Sequence, residues 1–146
     1  MHYHFQLIQK SSAIIALLGI LLAQKALGFS DINNHWANTC IDQLKSQKLV
    51  SGYPDGRFQP NSTVTRAEFA VFMLNAFPNA PVKRSAIAFK DVSTSYWAYK
   101  AIRDAYQREF FSGYPDGTFQ PSQPIPRVQA LAVLANAANL GVPEQP

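Results

Sequence analysis

Ten residues, Ser-Gly-Tyr-Pro-Asp-Gly-Arg-Phe-Gln-Pro at 51–60, return at 112–121 with a single change, Thr118 in place of Arg57. A repeat of that length does not come from composition, and it marks two copies of one supersecondary unit of about sixty residues. The correspondence runs well beyond the decapeptide. Phe29, Asp31, Trp36, Ala37 and Ile41 face Phe89, Asp91, Trp97, Ala98 and Ile102, with one extra residue before the second Trp. Downstream, Val64, Arg66 and Asn75 face Ile125, Arg127 and Asn136. The expected modules are therefore 29–84 and 85–146, joined by the Pro-containing stretch 76–85, in which Lys83 and Arg84 read as solvated cations.

Residues 1–28 stand outside the duplication. Lys10 precedes the apolar run 11–23, the length of a signal-peptide core and shorter than the roughly 20 apolar residues needed to cross a bilayer. Ala26 and Gly28 supply the small residues of a cut before Phe29. The reading is a secretory signal over 1–28, and an uncleaved signal is the only route this sequence offers to a membrane. Cleavage leaves 118 residues, 29 to 146, enough for two small modules that share a core but marginal for either alone.

Without Lys10 and Lys25 the 13 basic residues fall to 11 against 9 acidic ones, too even a balance for nucleic acid. Cys40 is the single cysteine, so no intrachain disulfide exists, and its place on an apolar stripe predicts a buried thiol.

Trp36, Ala37, Cys40, Ile41 and Leu44 share one helical face, and Trp97, Ala98, Ala101, Ile102 and Ala105 repeat it. Each copy is expected to open with an amphipathic helix, capped from Asn33 or Asn34 and from Ser93 to Ser95. Next comes Gly-Tyr-Pro-Asp-Gly, in which Pro presets a turn and the last Gly takes positive φ. The turn carries too few acids for a calcium loop, and no metal or cofactor is expected. A second helix follows. In copy one Thr65 and Glu68 form a capping box ahead of an apolar run, and in copy two Pro126 and Gln129 replace them. The fold class is mostly α: two tandem helix–turn–helix modules sharing a core after a signal peptide.

Arg66 and Arg127 need a reason, because each places a cation in the first turn of a helix, where the partial positive charge of the backbone opposes it by roughly 0.3–1 kcal/mol. An ion pair with Asp31, Asp91 or Glu68 is one account. The other is an anion seat built from the Arg and the free helix-start N–H groups.

Phe-x-Asp-Ile/Val, then Trp-Ala, then Gly-Tyr-Pro-Asp-Gly-x-Phe-Gln-Pro, then Val-Thr-Arg-Ala-Glu resembles the S-layer homology (SLH) family across both copies, from Phe29 to about Asn139. The Ile-Pro-Arg-Val-Gln variant in copy two resembles the paired modules of exported cyanobacterial proteins. The resemblance implies non-covalent anchoring in the cell envelope, in periplasm or wall, through grooves between modules that hold an acidic, peptidoglycan-linked polysaccharide. It assigns groove positions to Arg66 and Arg127, Asp31 and Asp91, Trp36 and Trp97, and Gly52 and Gly113. Modules of this family usually act in threes, so the resemblance also implies self-association or a third module on a partner chain. A structural interaction module of that kind is the alternative function.

The residues themselves add detail. Trp36 and Trp97 open apolar stripes and are expected in the core rather than against a sugar, while Tyr53 and Tyr114 beside turn glycines are the better sugar contacts. Phe58 and Phe119 are expected to plug the core beneath the turns. After cleavage His35 is the one histidine, and Tyr96 takes its place in copy two, so no duplicated acid–base device exists and no enzyme is expected.

Overall fold

The repeated pattern yields repeated helices. The computed structural model describes residues 28–138, and in it copy one contributes α1 (Asn38–Ser46) and α2 (Arg66–Ala76), copy two α3 (Tyr99–Gln107) and α4 (Arg127–Ala137). Of the expected signal segment 1–28, residues 1–27 lie outside the described residues.

The Tyr-Pro-Asp-Gly turn is closed by the same hydrogen bonds in both copies, although Gly52 just before it sits at φ 67° and its equivalent Gly113 does not take a positive φ. The amide of Gly56 donates to the Tyr53 carbonyl and that of Tyr53 to the Arg57 carbonyl, and Gly117 to Tyr114 and Tyr114 to Thr118 repeat the pair. Gly56 and Gly117 sit at φ 80° and 83°, as the turn requires. A carboxylate then ties each turn to the start of its copy. Asp31 accepts from the amides of Phe58 and Gln59, and Asp91 from those of Phe119 and Gln120, at 2.7–2.8 Å.

Helix starts differ from expectation. α1 and α3 begin after Trp-Ala, with Ala37 and Ala98 at the cap positions and no side-chain cap. Asn33, Asn34 and Ser93 to Ser95 lie in the preceding loops, too far upstream to cap anything. The tryptophans therefore stand in the turn before each helix rather than on its inner stripe, and that places them outside the core. Cys40 is exposed, not buried, because the inner face of α1 is carried by Ile41. The Thr65–Glu68 capping box at α2 is present, with both reciprocal bonds formed.

The core is lopsided. A large cluster joins Ala67, Ala70 and Met73 of α2 to Phe89, Val92, Ala98, Ile102, Ala105, Phe110, Phe111 and Phe119 of copy two, while copy one keeps a satellite of Phe29, Ile32 and Ile41. α2 packs chiefly on α3, in the other copy. Phe119 fills the centre as expected, whereas Phe58, its equivalent, is only partly buried beside the satellite.

Backbone pairing sews this seam. Thr65 and Pro124 form an antiparallel bridge. The Ile125 amide donates to the Val64 carbonyl, and the first amides of α2, Arg66 and Ala67, donate to the carbonyls of Gln123 and Pro121. The linker is strapped down too. Arg108 reaches the carbonyls of Phe77, Pro78 and Ala80. Arg84, expected in solvent, instead lies over the Tyr106 ring at 3.5 Å and donates to the carbonyls of Tyr106 and Phe111.

Arg66 is the deepest polar element of the seam, at 4% exposure. Its Nε donates to the Phe119 carbonyl, Nη1 to the Gln129 side chain and Nη2 to the Ser112 carbonyl, at 2.8, 2.8 and 3.2 Å. The rings of Phe111, Tyr114 and Phe119 surround it at 4.7–5.4 Å. Desolvating a guanidinium costs several kcal/mol. Hydrogen bonds to a charged group return about 1.5–3 kcal/mol each, and ring faces add to that.

Arg66→Ala should therefore remove about 3 kcal/mol of unfolding free energy in urea titrations, because it strands the buried Phe119 carbonyl and leaves the Ser112 carbonyl without its donor as well as deleting the stack. The exposed Arg127→Ala should change the same quantity by less than about 0.5 kcal/mol in dilute protein. Equal effects would contradict the division of labour between the two residues.

Candidate functional site

The residues singled out by sequence divide into those that build the seam and those left facing solvent. Arg66 belongs to the first group. Neither expected account of it holds, since its partners are carbonyls, an amide and ring faces rather than a carboxylate or an open anion seat. The seat itself is filled. At the start of α2 the amides of Arg66 and Ala67 are taken by copy two, that of Glu68 by the Thr65 hydroxyl and that of Phe69 by the Thr65 carbonyl. Burial pulls the guanidinium below its ordinary value, with Tyr114 and Asp91 acting the other way, and an arginine stays charged under any such shift.

Asp31 and Asp91 spend both carboxylate oxygens on the turn amides. The Phe58 amide, aided by that of Gln59, holds the Asp31 carboxyl below its usual value even in water. Gly52 and Gly113 are steric necessities. A Cβ on Gly52 would lie 2.2 Å from the Phe29 ring, and one on Gly113 2.3 Å from the Phe89 ring.

Tyr53 and Tyr114 part company. The Tyr114 hydroxyl donates to the Gln123 side chain and its ring lies under Arg66. The Tyr53 hydroxyl donates to Glu68, which also accepts from the Thr65 amide and hydroxyl. The bond to Glu68 pushes the Tyr53 hydroxyl up to about 12. Burial raises the Glu68 carboxyl, but the donors from Tyr53 and Thr65 outweigh it and hold the group below its ordinary value.

The solvent-facing set is Trp36, Trp97 and Arg127. The tryptophans, expected in the core, are 91% and 64% exposed. Trp97 lies beside Tyr96, with ring centroids 5.8 Å apart. Trp36 packs at 5.5 Å from His35 and adjoins a shallow hollow lined by Ser30, Asp31, Asn33, Asn34 and His35. His35 accepts from the Ala37 amide at Nδ1, which leaves the Nε2 proton to point at the Asn61 side chain, 3.2 Å away. Sequence reasoning missed this polar hollow. Asn33 and Asn34 read as caps and Asp31 as a groove position, and only the concentration of polar residues in 30–35 signalled a hollow.

The Tyr53–Glu68 bond has a pH consequence. A carboxyl depressed by folding adds stability that is complete above its unfolded value near 4.5 and disappears as pH falls through the folded one. Tyr53→Phe removes one donor, so the loss of unfolding free energy between pH 7 and pH 3 should be smaller in the variant than in the parent. Identical losses would show that the phenol does not support the carboxylate.

The sequence profile of the S-layer homology domain matches residues 28–70 and 88–131, the two copies described above. Cell surface glycoprotein 1 of Acetivibrio thermocellus is 36% identical over 129 residues, covering 82% of this chain and 6% of that protein. The Cellulosome-anchoring protein of the same organism is 44% identical over 88 residues, 58% of this chain and 20% of that one. Endo-1,4-beta-xylanase A of Thermoanaerobacterium saccharolyticum is 37% identical over 90 residues, 62% of this chain and 8% of the enzyme. The chain thus spans a fifth or less of each of these three relatives. With both copies matched and the clasped helix–turn–helix pair in place, this chain belongs to the S-layer homology domain family.

Proposed function

We propose that the chain is a non-catalytic anchor that holds itself in the cell envelope, in wall or periplasm, by binding an acidic, peptidoglycan-linked polysaccharide beside the seams between its copies. The observation that carries the reading is the exposure of Trp36 and Trp97 at equivalent positions. A large indole left in water gains by covering its face, and the C–H face of a sugar ring covers it without demanding hydrogen bonds. The hollow next to Trp36 adds amide, hydroxyl and imidazole groups able to meet sugar hydroxyls. Cell surface glycoprotein 1 and a Cellulosome-anchoring protein among the relatives support the same setting by their names.

The role of the arginines changes. Arg66 builds the wall of a groove by locking the seam and does not itself touch the glycan. Attraction for an acidic polymer comes from the small excess of cations left after cleavage, 11 Lys and Arg against 9 Asp and Glu, and should weaken with salt.

Sedimentation with polymer-bearing wall tests this. Trp36→Ala and Trp97→Ala should each lower retention about 5-fold, the equivalent of about 1 kcal/mol of ring contact, with thermal stability unchanged. Chemical removal of the polymer should abolish retention of the parent, and rising salt should release it. Retention that ignores both the polymer and the tryptophans would defeat the reading.

A further inference from the structure

We infer that His35 is a proton-operated latch for Trp36: as a neutral imidazole it ties the entry of α1 to the segment before α2 and sets the indole beside it, and on gaining a second proton it lets go. The consequence for retention rests on the anchoring reading proposed above. The geometry of the latch does not.

The ring bridges two parts of copy one. Its Nδ1 accepts from the Ala37 amide, and its Nε2 meets the side-chain oxygen of Asn61, 26 residues on in sequence, both at 3.2 Å. Ala37 holds the cap position of α1 and has no side chain able to cap it, so the imidazole two residues upstream supplies the acceptor. The backbone of His35 is fixed as well, its amide donating to the Ile32 carbonyl and its carbonyl accepting from the Asn38 amide. The indole has far less to hold it. Trp36 is 91% exposed, and among the described residues His35 is the one ring packed beside it and no hydrogen bond fixes its Nε1.

Only the neutral ring can make both bonds. With its proton on Nε2 an imidazole donates to Asn61 and accepts at Nδ1, whereas imidazolium carries a proton on each nitrogen and has no acceptor left. Protonation therefore sets an Nδ1–H against the Ala37 N–H, donor facing donor, and the ring must turn away. Imidazole is the side chain that makes this change between about pH 5 and pH 8. The charged groups around it are few. Asp31 lines the same hollow with both oxygens held by turn amides, and Arg57 acts on that carboxylate from the turn. The first turn of α1 offers Asn38, Thr39 and the exposed Cys40 thiol, and the segment 59–62 offers neutral side chains alone.

Copy two lacks the device. Tyr96 stands where His35 does, with its ring beside Trp97, and no side chain accepts from the Ala98 amide among the described residues. The duplication thus contains its own control, because Trp36 should answer to pH in this range and Trp97 should not.

NMR of the purified chain in glycan-free buffer tests the latch. The imidazole nitrogens of His35 should show the Nε2–H tautomer at about pH 7.5. Exchange protection of the Ala37 amide should fall roughly tenfold as the ring takes its second proton, with that of Ala98 level throughout. His35→Asn keeps an oxygen in the place of Nδ1 and cannot titrate, since an Asn side chain accepts from the amide two residues on, so Ala37 should stay protected down to about pH 5. His35→Phe offers no acceptor and should leave Ala37 unprotected at either pH. On polymer-bearing wall at fixed salt, retention of the parent should drop by up to about 5-fold over the same range, the share assigned to Trp36, while His35→Asn holds its retention. If Trp36→Ala leaves retention unchanged, the anchoring reading fails and the NMR results judge the latch alone. Ala37 protection that ignores the charge on the ring, protection that falls with pH in His35→Asn as in the parent, or retention that falls alike in both would overturn the proposal.

Discussion

One guanidinium, placed at the start of a helix where its charge is least welcome, decides how the two copies sit. Arg66 cannot satisfy its donors within copy one, because the acids available there, Asp31 and Glu68, are engaged by turn amides and by Tyr53 with Thr65. It finds its partners in copy two, and by reaching them it carries Ala67, Ala70 and Met73 into contact with α3 and the phenylalanines behind it. The desolvation cost is met only when carbonyls and ring faces are all in place, so the residue specifies one arrangement of the copies rather than merely adding stability. The asymmetric core is a direct result.

Much of this was legible in the chain. The repeat fixed the number of units, the Tyr-Pro-Asp-Gly segment fixed the turn down to the positive φ of its last glycine, and Thr65 with Glu68 fixed the start of α2. Arg66 and Arg127 announced themselves as residues in need of an explanation. Their fates were not legible, because α2 and α4 share one apolar pattern and burial depends on what lies beside each helix, a matter of tertiary contact. The tryptophans were misplaced for a related reason. Periodicity ran through Trp36 and Trp97, but the helices begin two residues later, so the rings fall off the inner face. Cys40 lost its predicted burial because Ile41 alone carries that face.

A seam locked from inside leaves the surface around it free for recognition. Asp31 and Asp91, Gly52 and Gly113, and Arg66 hold backbone and packing, and their strict repetition reflects the turn and clasp that each copy must form. The exposed indoles repeat as well, yet nothing in the fold requires them to be tryptophan. We therefore propose that these two side chains, whose size packing does not explain, are the ones that meet a ligand. Membership of a domain family whose relatives include cell-surface and anchoring proteins agrees with that assignment.

The central claim is that a second helix of this unit is finished only by the unit packed against it. Amide hydrogen exchange reads it residue by residue, since a helix-start N–H is protected only when some acceptor covers it. In dilute protein the amides of Arg66 and Ala67 should exchange as slowly as the core of α2, and those of Arg127 and Val128 at nearly the rate of an open chain. Equal rates at the two helix starts would contradict the account.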